Sequence, residues 1–74
     1  MDKRIGSLSK EEVLALSPLT SSLEFSAVVS GIYSGSEAEK VLKMLTLSGI
    51  ACKGEELREI CHELAAKRMQ FYPE

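Results

Sequence analysis

The sequence predicts an all-α protein, a small antiparallel helical bundle in which a short N-terminal helix precedes three further helices. Three observations carry this prediction. Apolar residues recur at i, i+3, i+4, i+7 and i+8 over residues 25–33 and again over 57–65, one buried face of a helix in each case. The pattern Ser-x-x-Glu, in which a serine hydroxyl and a glutamate carboxylate cap each other's backbone N–H groups, opens stretches at Ser9, Ser21 and Ser36. Gly35 and residues 49–54 separate the segments by connections short enough to make neighbouring helices antiparallel.

A chain of 74 residues holds a single domain, 1–74, whose first seven residues are polar, small and expected to fray. A domain of this size buries only about 60% of the surface its unfolded chain exposes, so a partner chain is a natural supplement to its core. Composition is that of a globular protein, 45% hydrophobic and 27% charged. Phe25, Tyr33, Phe71 and Tyr72 are the aromatic residues, so the core must be built mainly from Leu, Val, Ile and Ala.

The net charge of −2, with acids and bases interspersed, leaves no electrostatic footprint for nucleic acid or an anionic membrane. No apolar run approaches the roughly 20 residues that span a bilayer. Arg4 and Lys3 are followed by no apolar stretch of the kind a secretory signal needs. Cys52 and Cys61 are too few for a disulfide framework, and the expectation is two reduced thiols in a cytoplasmic protein.

Taken in order, Leu8-Ser9-Lys10-Glu11-Glu12-Val13 is a complete helix start, with Leu8 and Val13 placed to close a hydrophobic staple. Ser17-Pro18 stops this helix after Leu16 and can open the next, since proline suits the first helical position. The second helix presents Phe25, Val28, Val29, Ile32 and Tyr33 on one face and the small residues Ala27, Ser30, Gly31 and Ser34 on the other. Leu23, Phe25, Ala27 and Val29 also alternate as a strand would. A lone strand is marginal without a sheet, and helix is preferred.

Ser36 and Glu39 are expected to cap the third helix, whose buried stripe is Ala38, Val41, Leu42 and Leu45. Gly49 with apolar Ile50 after it has the form of a left-handed helix end. Glu55 and Glu56 start the last helix, whose stripe of Leu57, Ile60, Cys61, Leu64 and Ala65 continues to Arg68, Phe71 and Tyr72 before Pro73 stops it. Glu63 and Lys67 are spaced for an i, i+4 ion pair.

No catalytic set emerges, and the chain reads as a non-enzyme without metal or cofactor. His62 adjoins Cys61 but projects about 100° away round the helix, too far to serve as its base. Cys61 lies on the apolar stripe as a small hydrophobe; Lys53 beside Cys52 would lower that thiol's pKa somewhat, but a structural or incidental role is the preferred expectation for it. Cys52, Cys61 and His62 lack the tight paired spacing and fourth ligand of a structural zinc site.

The stretch from Ser30 to Leu42, with Gly31 and Tyr33 closing one helix and Ala38 near the start of the next, resembles a degenerate tetratricopeptide-type hairpin. Small cytosolic chaperones of type III secretion needle subunits are similar in being short and helical with this spacing. The resemblance implies a binding module that sequesters a helical partner.

The function expected from these features is protein–protein interaction, as an adaptor or chaperone-like subunit that binds a partner helix or self-associates into a homo-oligomer. Its contact surface would be drawn from Phe25, Val29, Ile32 and Tyr33, or from Met69, Phe71 and Tyr72. The alternative is a helix-turn-helix DNA-binding regulator formed by the last two helices. Glu55, Glu56 and Glu59 would then face phosphate, leaving Arg58, Lys67 and Arg68 to carry the binding.

Overall fold

The apolar stripe of the last segment is realised as the longest helix, and the rest of the chain is laid against it. The computed structural model describes residues 4–73. Their elements are α1 (Lys10–Ala15), α2 (Ser17–Thr20), α3 (Leu23–Ser30), α4 (Gly35–Leu47) and α5 (Leu57–Phe71), with 3-10 turns at Ile5–Ser7 and Gly54–Glu56. There is no strand among the described residues, so the alternating pattern of residues 23–29 folds as helix. Helix α5 packs against the Ile5–Ser7 turn, α1 and α3; α3 also packs on α4, and α2 bridges α1, α3 and α4.

Leu57, Cys61 and Leu64 of α5 are buried as the stripe requires, against Val41 and Leu45 of α4, Phe25 and Val28 of α3, and Val13 of α1. Cys61 is therefore a core side chain. No polar or charged side chain is buried among the described residues. Of the lead-in expected to fray, residues 1–3 lie outside the described residues. Ile5 and Leu8 are buried in the core, so the Ile5–Ser7 turn is packed.

The start of α1 is as its sequence dictates. Ser9 N–H donates to Glu12 Oε1 at 2.9 Å and Glu12 N–H to Ser9 Oγ at 3.2 Å. Leu8 and Val13 both enter the core beneath this box.

The segment expected as one second helix is two. Leu16 ends α1, Pro18 opens α2, and a new cap interrupts the chain after Thr20. That cap is Ser22, whose Oγ accepts from Phe25 N–H at 3.1 Å. Ser21, the expected cap, instead donates its hydroxyl back to Ser17 O.

Helix α3 stops earlier than its apolar periodicity suggests. Gly31 adopts φ +78°, Gly31 N–H bonds Val28 O at 3.1 Å and Ile32 N–H bonds Ala27 O at 3.0 Å, a Schellman end. Ile32 and Tyr33 thus leave the helical face. Gly31 is covered by Arg58: a Cβ there would stand 3.0 Å from the guanidinium Nη2. Of the small residues predicted opposite the apolar face, Gly31 is the one this side chain covers.

Two Ser-x-x-Glu frames overlap before α4, and the earlier one is used. Glu37 Oε1 accepts from Ser34 N–H at 2.9 Å and from Ser34 Oγ at 2.8 Å. The helix therefore begins at Gly35, and Ser36 lies inside its first turn. The predicted end is realised: Gly49 sits at φ +82°, with Ile50 N–H on Leu45 O at 3.0 Å and Gly49 N–H on Thr46 O at 3.0 Å. Lys40 and Glu24 approach to 3.8 Å on the surface between α4 and α3.

Candidate functional site

The C-terminal half of α5 places Ala65, Arg68, Met69 and Tyr72 on one face at i, i+3, i+4 and i+7. With Phe25 of α3 and Thr20 of α2 they line a cleft of about 300 Å³. Phe25, 5% exposed, belongs to the core and forms the floor. Met69 stands at the mouth, 64% exposed.

The walls are fixed by contacts far apart in sequence. Arg68 Nη1 donates to Thr20 Oγ1 at 2.8 Å, joining α5 to α2. Tyr72 donates its phenol proton to Lys10 O at 3.2 Å, and Lys10 Nζ lies 5.3 Å from the Tyr72 ring centroid. One turn earlier, Lys67 Nζ donates to Gly6 O at 3.0 Å and lies 5.2 Å from the Phe71 ring. No ion pair between Glu63 and Lys67 forms; the lysine reaches across to the N-terminal turn.

Acids predominate before and within the first half of α5, where Arg58 also lies, and bases gather at its end. Glu55, Glu56, Glu59 and Glu63 are exposed around its first half, and Lys67 and Arg68 lie at its end with Lys10 beside them. None of these three cations is ion-paired to a carboxylate among the described residues.

Of the residues expected to form a contact surface, the structure brings Phe25, Met69 and Tyr72 together. Val29 is half-buried against the core, and Phe71 is half-buried beneath Lys67. Ile32 and Tyr33 follow the Gly31 turn into the connection to α4, 80% and 40% exposed, away from the cleft. Thr20 and Ala65 complete the lining; Thr20 had not stood out in the sequence, and Ala65 had done so only as part of the α5 stripe. The signal of Thr20 is only spatial, whereas Ala65 and Arg68 continue the α5 stripe.

A second depression runs along α4, lined by Leu42, Thr46 and Leu47 together with Glu39 and Lys43. Leu47, 77% exposed, falls off the Val41–Leu45 stripe, and that irregularity was its one trace in the sequence.

The thiols are both free and both unactivated. Burial first, then the neighbouring Cys52, pushes the Cys61 thiol up to about 12. Cys52 also moves upward, by burial and by the charge of Glu56, whose carboxylate accepts from Lys53 N–H at 3.2 Å. The lowering expected from Lys53 is overturned, because burial first and the charge of Glu56 second both favour the protonated thiol. His62 is exposed while Cys61 is buried, and no group of three metal-ligating side chains is gathered among the described residues.

The chain matches no protein-family model, no curated protein and no solved structure. Among the described residues no helix is long and apolar enough to cross a membrane.

Proposed function

We propose that the chain is a protein-interaction module, an adaptor or chaperone-like subunit whose cleft takes an apolar side chain from a partner's helix. The observation that carries this reading is Met69, a flexible apolar side chain left in solvent at the mouth of a cleft floored by Phe25 and walled by Tyr72. Methionine and aromatic residues are enriched at interfaces because they bury much area and adapt to shape. The α3–α4 pair, with Gly31, Tyr33 and Ala38, supports the same reading through its resemblance to a tetratricopeptide hairpin. Antiparallel packing of neighbouring helices, and a cytoplasmic site of action with thiols kept reduced, belong to the same proposal.

Affinity capture of the tagged chain from its native lysate, nuclease-treated, tests this reading when wild type and Met69→Asp are compared. A stoichiometric protein partner held by wild type and lost by Met69→Asp, with helical circular dichroism unchanged, supports it. Equal capture by both proteins would refute the cleft as the contact surface. If wild type comes down alone, light scattering distinguishes a homo-oligomer that Met69→Asp dissociates from a monomer, and a monomer would refute the reading.

A further inference from the structure

Resting on the proposed interaction role, we infer that the cleft selects an acidic amphipathic helix, one whose apolar anchor enters beside Phe25 and Met69 while a carboxylate one turn away pairs with Arg68. The argument begins with the lining. Thr20, Phe25, Ala65, Met69 and Tyr72 are uncharged, and Arg68 supplies the one charge, positive and half-buried. Its single hydrogen-bond partner among the described residues is the neutral hydroxyl of Thr20. A hydroxyl orients a guanidinium but does not neutralise it. The planar fork retains further N–H donors in a geometry suited to a carboxylate.

The surroundings favour the same sign of ligand. Lys10 and Lys67 stand at this end of the molecule, over the Tyr72 and Phe71 rings, with Glu11 next to Lys10 in sequence, whereas the exposed carboxylates Glu59 and Glu63 lie in the first half of α5. The α4 depression lacks this bias, because Glu39 and Lys43 line it together. A cleft of about 300 Å³ accepts one large side chain rather than an extended segment. On a helix, a carboxylate three or four residues from that anchor shares its face. Two lysines partly spent on aromatic rings and a net charge of −2 do not make the continuous cationic track that a nucleic acid follows.

The test uses the full chain with methyl-labelled methionine, because Met69 reports on the cleft and Met44 on α4. The probes are two synthetic alanine-based helical peptides, each with one leucine and, four residues later, either glutamate or glutamine. The expected result is a shift of the Met69 methyl signal with Met44 unmoved, and about tenfold tighter binding of the glutamate peptide. Arg68→Gln should abolish that preference, and Arg68→Lys should recover part of it.

Equal binding of the two peptides at Met69 would overturn the carboxylate preference and leave the cleft as a contact site. So would a preference that survives Arg68→Gln. Movement of Met44 alone, or no movement with either peptide at millimolar concentration, would overturn the cleft reading as well. A Met69 shift that grows on concentrating the chain by itself would make the occupant a second copy, which also overturns the inference.

Discussion

Tyr72 and Lys10 hold each other by two contacts at once: the phenol donates to the lysine carbonyl at 3.2 Å, and the lysine ammonium lies 5.3 Å from the ring centroid. The pair joins the end of α5 to the start of α1 and sets the outer wall of the cleft. Tyr72→Phe removes the hydrogen bond and keeps the ring, so a loss of about 0.5 kcal/mol is expected in urea unfolding. Tyr72→Ala removes the half-buried ring as well and should cost about 2 kcal/mol. Similar losses for the two variants would show that the hydroxyl, not the ring, does most of the holding.

The cap of α3 gives a second expectation. Ser22→Ala deprives Phe25 N–H of its acceptor and should destabilise the chain by about 1 kcal/mol. Ser21→Ala, which removes only a hydroxyl bonded back to Ser17 O, should stay within about 0.5 kcal/mol of wild type. The reverse order in thermal melts would place the cap at Ser21.

Glu37 sets a dependence on acid. Its carboxylate accepts from the backbone N–H and the hydroxyl of Ser34 and feels the charge of Lys40, which holds its pKa below the ordinary value of 4.5. Ionised Glu37 therefore stabilises the folded chain above the unfolded-state value, and this contribution is lost as pH falls through the lower folded-state value. Wild type should lose stability more steeply than Glu37→Gln between about pH 5 and pH 3. Parallel curves for the two proteins would show that the Ser34 contacts do not favour the charged form.

Cys61 sets one on base. With its thiol pushed from 9.0 up to about 12, the folded chain keeps a proton that the unfolded chain releases. The resulting stability is present in full below about pH 9 and is lost as pH rises towards the folded-state value. Cys61→Ala should flatten this decline. At pH 8 an aromatic disulfide reagent should modify Cys52 more slowly than free cysteine and reach Cys61 only as fast as the protein opens. Rapid labelling of Cys61 in the native state would contradict its place in the core.

The elements legible in the sequence are those whose signals are local and unopposed. The Ser9–Glu12 box, the Gly49–Ile50 helix end and the Leu57–Cys61–Leu64 stripe each depend on residues within one or two turns. Where two local signals competed, the sequence pattern alone did not say which would win. Periodicity carried the α3 face through Ile32 and Tyr33, but Gly31 reversed the chain first, under the guanidinium of Arg58. Ser36–Glu39 was the expected cap, and the one that formed is Ser34–Glu37, a frame of the same pattern two residues earlier.

Least legible was the cleft. Phe25 and Met69 were each suspected, but their meeting depends on the packing of α3 against α5. The Thr20–Arg68 bond spans 48 residues, a separation at which no helical spacing rule operates. Lys67 likewise passed over Glu63, four residues away, for Gly6.

The clasp between the two ends of the chain has a consequence for the order of folding. Gly6–Lys67 and Lys10–Tyr72 join residues 61 and 62 positions apart, whereas the α3–α4 turn brings together helices that are neighbours in sequence. Loop-closure entropy leads us to expect that such remote contacts form late, after the rate-limiting barrier has been crossed. Loosening the clasp should therefore leave the folding limb of a chevron where it is and raise the unfolding limb, so that these residues govern how long the native state lasts and not how quickly it is reached.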